Sequence, residues 1–158
     1  MRRASLFKKL EYWNINIINA FFLSIIIVIT IQIVSRSFFH NAFAWAEEVS
    51  RYLFIYMVLG GAVLSYKQNM WVSVDLISKH LSHKAKHIFD IAIEIIAFLF
   101  FSIISVISII YLKSSKGQLT AALQIGMAYA YAALPIFFIQ MSIISISKIV
   151  AAFKGEDN

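Results

Sequence analysis

Trp45-Ala-Glu-Glu-Val-Ser-Arg-Tyr52 opens the stretch that decides the fold, and the chain then runs through Leu53 to Tyr66 without another charge. Tyr52 to Tyr66 is 15 residues. At about 1.5 Å per residue that covers about 22 Å as a helix, less than the roughly 30 Å of a bilayer's hydrocarbon core. A spanning helix here must therefore carry Glu47, Glu48 and Arg51 at or inside the membrane boundary, where charge is costly unless paired. Glu47 and Glu48 lie four and three residues before Arg51, so pairing can begin within the helix. Two acids against one base leave a net negative charge, which invites a partner on another helix or another chain. The plainer reading is a helix N-terminus whose acids suit the dipole while Arg51 snorkels to the headgroups.

The rest of the composition agrees with a membrane protein. The 158 residues are 61% hydrophobic and 14% charged, with a single proline and a mean hydropathy of +0.80. A soluble domain carries nearer a quarter charged residues. The expected class is all-α, a single membrane domain over residues 1–158, with four spans at about 12–35, 46–66, 88–112 and 124–147. There is no cysteine, which excludes disulfides, thiolate metal sites and cysteine nucleophiles. The net charge of +6 does not imply nucleic-acid binding, because the basic residues sit in short loops and termini, where they set orientation.

Arg2, Arg3, Lys8 and Lys9 precede the first apolar run in the manner of a secretory signal. The uncharged stretch from Tyr12 to Ser35 is long enough to span, however, and reads as an uncleaved helix. Asn16 and Asn19 share a face there. They either bond a neighbouring helix or simply wet the interfacial end. In the second span Gly60, Gly61, Ala62 and Ser65 allow close approach of another helix.

After it, Met70, Val74, Ile77 and Leu81 recur at helical spacing with Asp75 and Lys79 opposite, and Trp71 suits an interface. This predicts a short amphipathic helix at about 70–82 lying on the membrane surface. The third helix begins near Ala85. Asp90, Glu94, Ser105 and Ser108 make one polar side, with Lys86 placed to pair with Asp90; such a stripe faces protein rather than lipid. The last span is rich in small and aromatic residues at first, and Pro135 predicts a bend.

Four spans put both termini on one side. That side holds ten of the lysines and arginines, against Arg36, Arg51, Lys113 and Lys116 on the other. The charge rule places both termini in the cytoplasm, Glu47, Glu48 and Arg51 at the outer end, and Asp90 and Glu94 at the inner end.

Motifs for chemistry are absent. No phosphate loop, HExxH or GxSxG occurs, and no cofactor is implied. A membrane haem protein needs histidines within its spans, but His40, His80, His83 and His87 lie outside them or at an edge. His80, His83 and His87 fall on one helical face. That pattern fits a basic segment touching anionic lipid better than a metal site. No carboxylate stands in mid-span, so the chain has no evident means of coupling ions. A small self-sufficient transporter working as a homodimer, and a membrane enzyme, are the alternatives.

Taken together, Trp45-x-Glu-Glu-x-Ser-Arg-Tyr, the span with Gly60, Gly61, Ala62 and Tyr66, the following Val74-Asp75-Leu76, and Ile125-Gly-Met-x-Tyr-x-Tyr-x-Ala-Leu-Pro135 resemble a known family. It is the small membrane subunit (Q, or DctQ-like) of tripartite ATP-independent periplasmic (TRAP) transporters. The resemblance covers nearly the whole chain. It implies a subunit of the bacterial inner membrane that binds a large, M-type membrane subunit carrying the sodium and substrate sites. A periplasmic binding protein would deliver an organic acid, of the C4-dicarboxylate or sialic acid class. The small subunit would extend the fixed scaffold while the large one moves as an elevator, and would not ligate substrate. Carried across by position, Trp45, Glu47, Glu48, Ser50, Arg51 and Tyr52 match the outer-face motif, and Asp75 an inner-side one. With Asp90 and Glu94 these are the candidate partner-interface residues. Lys67-Gln-Asn-Met-Trp71 departs from relatives, which carry a more charged turn with Gly or His there.

Overall fold

The structure, a computed structural model, describes residues 2–39, 43–70 and 83–153, and of residues 2–13, 39, 83 and 84 the backbone alone. The described residues form helices α1 (Arg2–Phe39), α2 (Ala44–Lys67), α3 (His83–Ser114), α4 (Ala128–Tyr131) and α5 (Ala133–Phe153). Four segments are long and apolar enough to cross a membrane: Asn14–Phe38, Ala44–Lys67, Ala85–Ser114 and Ala128–Phe153. The all-α, four-span expectation holds. The interfacial helix predicted at about 70–82 lies, apart from Met70, outside the described residues, as does Asp75.

α1 and α3 are long because neither contains glycine or proline, the two residues that break helices. α2 ends in a Schellman motif. Asn69 takes a left-handed φ of 54°, and the Met70 and Asn69 amides donate to the Ser65 and Tyr66 carbonyls at 3.1 and 3.3 Å. Asparagine tolerates this conformation and so stops the helix.

The last span starts later than the sequence indicated. Residues 124–127 are not helical. They close a short loop in which Leu119 and Gly126 form an isolated antiparallel bridge. Thr120 N–H donates to the Ile125 carbonyl at 2.8 Å, and Met127 N–H to the Gln118 carbonyl at 2.9 Å. Gln124 has φ 54° and Gly117 φ 95°, conformations a helix cannot include. The bend predicted at Pro135 appears as an interruption at Ala132, between α4 and α5. A proline ring disturbs the turn on its N-terminal side, and its missing N–H is harmless in the first turn of α5.

α3 lies along α5, α1 lies along α2, and α2 against α5 joins the two pairs. On α1 the covered positions include Ile18, Phe21, Ile25, Val28, Gln32 and Ser35, a 3–4 alternation of the coiled-coil kind. Gly60 lets three helices converge: a Cβ there would lie 3.0 Å from Ile18 Cγ1 on α1 and 3.4 Å from Phe137 Cε1 on α5. Edge-to-face rings continue the contact, Phe21 on Tyr56 at 5.9 Å and Tyr56 on Phe137 at 6.1 Å. Deeper in, Val63, Tyr66, Phe101, Ala133, Phe137 and Met141 form the buried cluster. Lipid tails are as apolar as these side chains, so close packing and polar contacts, rather than escape from water, hold the helices together.

Candidate partner interface

At the outer end the first turns of α2 sort their charges by direction. Glu47 and Arg51 pair on the outward side, Arg51 Nη2 to Glu47 Oε1 at 2.8 Å, with the two side chains 67% and 64% exposed. Trp45 is also exposed and stacks on Phe43 at 5.9 Å. Ser50 turns back on its own helix, donating to the Ala46 carbonyl at 2.8 Å.

Glu48 points the other way. Its Oε1 accepts from the Tyr52 hydroxyl at 2.9 Å, and its Oε2 accepts from the Ala122 and Leu123 amides at 3.2 and 2.9 Å. Of the two places where a partner was expected, another helix or another chain, Glu48 finds partners in its own chain: two backbone amides and a phenol. They also brace the 115–127 loop, whose Thr120 is 1% exposed and accepts from Ile125 N–H through its hydroxyl at 3.2 Å.

At the inner end a second polar site joins α2, α3 and α5. Glu94 accepts from the Tyr66 hydroxyl and from Ser145 Oγ at 3.3 Å, while its backbone carbonyl takes Ser145 Oγ at 2.9 Å. Lys148 Nζ donates to Glu94 Oε1 at 3.3 Å, to the Tyr66 carbonyl at 2.7 Å and to Asn69 Oδ1 at 2.6 Å. It also sits 3.9 Å from the centre of the Tyr66 ring. A cation here caps the negative end of the α2 dipole and pairs with a carboxylate at once. Glu94 is therefore bonded within its own chain, to α2 and α5. Asp90 is half-buried and makes no ion pair with Lys86, which is exposed one turn earlier on the same helix. Of the predicted polar side of α3, Ser105 and Ser108 are buried, but their hydroxyls return to the Phe101 and Ile104 carbonyls at 2.7 and 2.6 Å.

Lys148, Tyr66, Asn69 and Ser145 were not singled out as site residues. Helical spacing relates residues three and four apart, whereas Lys148 and Glu94 are separated by 54 positions. Among the described residues no three His, Cys, Asp or Glu side chains gather as a metal site. His80 lies outside those residues, as does the side chain of His83.

Residues 25–155 match the family model described as the DctQ component of tripartite ATP-independent periplasmic transporters. The chain is similar to the sialic acid TRAP transporter permease protein SiaT of Haemophilus influenzae, 24% identical over 133 residues, which is 84% of this chain and 21% of that one. It is similar to the sialic acid TRAP transporter small permease protein SiaQ of Vibrio cholerae, 32% identical over 72 residues, 46% of this chain and 42% of the relative. A TRAP transporter small permease protein of Haemophilus influenzae is 38% identical over 55 residues, 35% of this chain and 34% of the relative. The matched part of the chain thus spans less than half the length of each of these relatives.

Proposed function

The chain belongs to the DctQ component family of TRAP transporters, a multi-pass transport protein of the bacterial inner membrane and not an enzyme, and from this premise we propose a specific role for it. It is the small subunit of a sodium-coupled importer of organic acids, of the sialic acid or C4-dicarboxylate class. It scaffolds a large M-type subunit that carries substrate by an elevator movement, and its outer end helps dock a periplasmic binding protein. Two of the relatives carry sialic acid in their names, which favours that substrate over the dicarboxylates.

One observation supports the scaffold role above the others. Of the carboxylates within the spans, Glu48 and Glu94 are occupied by hydrogen bonds within the chain, and Glu47 and Asp90 lie in the first two turns of their spans. No carboxylate is left in mid-span to bind an ion. The exposed pair Glu47 and Arg51, with Trp45 beside it, remains on the outer face for a partner.

The test is co-expression with the large subunit and binding protein, followed by co-purification and sodium-dependent uptake of labelled sialic acid. Uptake that needs all three chains, and weakens with Arg51→Ala, is the expected result. Transport by the purified chain alone in liposomes would overturn the reading and favour a self-sufficient homodimer.

A further inference from the structure

α1 touches its own chain along one side, and the opposite side is also patterned. Asn16, Asn19, Leu23, Ile26, Thr30 and Ile33 follow a second 3–4 alternation, and each is exposed. Two positions along a helix turn by about 200°, so this row lies across the helix from Ile18, Phe21, Ile25 and Val28. Thr30 satisfies its hydroxyl on the Ile26 carbonyl at 2.7 Å. The carboxamides of Asn16 and Asn19 find no partner among the described residues.

Both asparagines lie within the span that begins at Asn14. Asn19 is five residues along, about 8 Å further down the helix axis. A carboxamide brings two donors and an acceptor oxygen, and hydrocarbon answers none of them. Its stem is shorter than that of lysine and reaches less far along the helix toward water. The outward faces of the other long helices differ: Ile88, Ile96, Leu99 and Ile103 on α3, and Ile136, Ile139 and Ile143 on α5. Those faces suit lipid; the α1 face suits a helix that can hydrogen-bond.

We infer that the Asn16–Ile33 face of α1 seats a transmembrane helix of the large membrane subunit, whose polar groups bond Asn16 and Asn19 near the inner surface. The inference rests on the proposed reading of the chain as a small subunit. The occupant is argued from the relative whose matched region is 21% of its length: most of that permease lies outside the matched segment in the same polypeptide, and so within covalent reach of it. Polar groups of this kind fix which helix pairs and in what register.

The chain has no cysteine, so spin labels can be placed singly. Labels at Leu23→Cys and Ile33→Cys on α1, with Ile96→Cys and Ile103→Cys on α3 as lipid-facing controls, are read by oxygen accessibility in the chain alone and in the complex. Positions 23 and 33 should lose several-fold in accessibility on complex formation while 96 and 103 do not change. The double variant Asn16→Leu, Asn19→Leu should recover several-fold less large subunit with the chain's own thermal midpoint unchanged. Labels at 23 and 33 that stay as accessible as the controls in the complex would overturn the assignment. So would cross-linking of Leu23→Cys between two copies without the large subunit, which would make this a face between copies. If the unsubstituted chain recovers no large subunit at all, it is the small-subunit reading that fails.

Discussion

Two adjacent glutamates in one helical turn do different work, and the difference is measurable. Glu47 shares an exposed ion pair with Arg51, a contact worth under about 1 kcal/mol. Glu48 holds two amides and a phenol, and three hydrogen bonds to a carboxylate outweigh one exposed ion pair. Glu48→Ala should therefore lower the thermal midpoint in detergent, followed by tryptophan fluorescence, well beyond Glu47→Ala, and should open the 115–127 loop to proteolysis. Equal effects would mean that the loop is held by its own bonds. At the inner end Glu94→Ala leaves the Tyr66 hydroxyl without its acceptor and Lys148 without its carboxylate, for which about 3 kcal/mol is a reasonable scale because the pair is half-buried. Glu94→Gln keeps acceptors and should cost less. The double variant Glu94→Ala, Lys148→Ala should fall short of the sum of its parts, the signature of direct coupling. The sequence placed Glu94 on a polar side of the third helix but did not show what answers it. Its partners come from α2 and α5, and spacing along one helix gives no access to them. The same local rule predicted a Lys86–Asp90 pair that does not form.

At the scale of elements, apolar length and charge placement were enough to find four spans, because hydrocarbon admits only helices or closed barrels. They did not find where the last span begins. Leu123-Gln-Ile-Gly-Met127 is uncharged and reads as a helix entry, yet Gln124 stands at positive φ and the segment pairs with Gln118–Thr120. Hydropathy does not register a backbone reversal. The small residues of α2 were legible as a group, and the structure separates them. A Cβ on Gly60 meets Ile18 and Phe137, while one on Gly61 meets nothing within 4 Å. Gly60→Val should therefore cost about 1–3 kcal/mol by overpacking where α1, α2 and α5 converge. Gly61→Ala should leave the thermal midpoint unchanged or raise it, since alanine is the better helix former by about 1 kcal/mol. Equal losses at both positions would indicate that α1 does not sit in the Gly60 groove.

For the whole molecule, polar contacts tie α2 to other parts of the chain at both ends. Glu48 ties α2 to the loop before α4 at the outer end, and Lys148 ties α5 to α2 and α3 at the inner end. Rings link α1, α2 and α5 between them. On the proposed reading the chain is a fixed frame that does not touch substrate, and such a frame has a kinetic signature. Substitutions inside it should change how much complex assembles without changing what each complex does. In proteoliposomes holding the full transporter, Glu94→Gln and Gly60→Val should lower the yield of complex. The KM for the organic acid, the sodium dependence and the rate per assembled complex should stay within about twofold of the unsubstituted protein. Loss of an interaction made with substrate would instead appear in KM, in kcat, or in both. A several-fold rise in KM with Glu94→Gln, at equal complex concentration, would place this chain on the substrate's path and end its description as a scaffold.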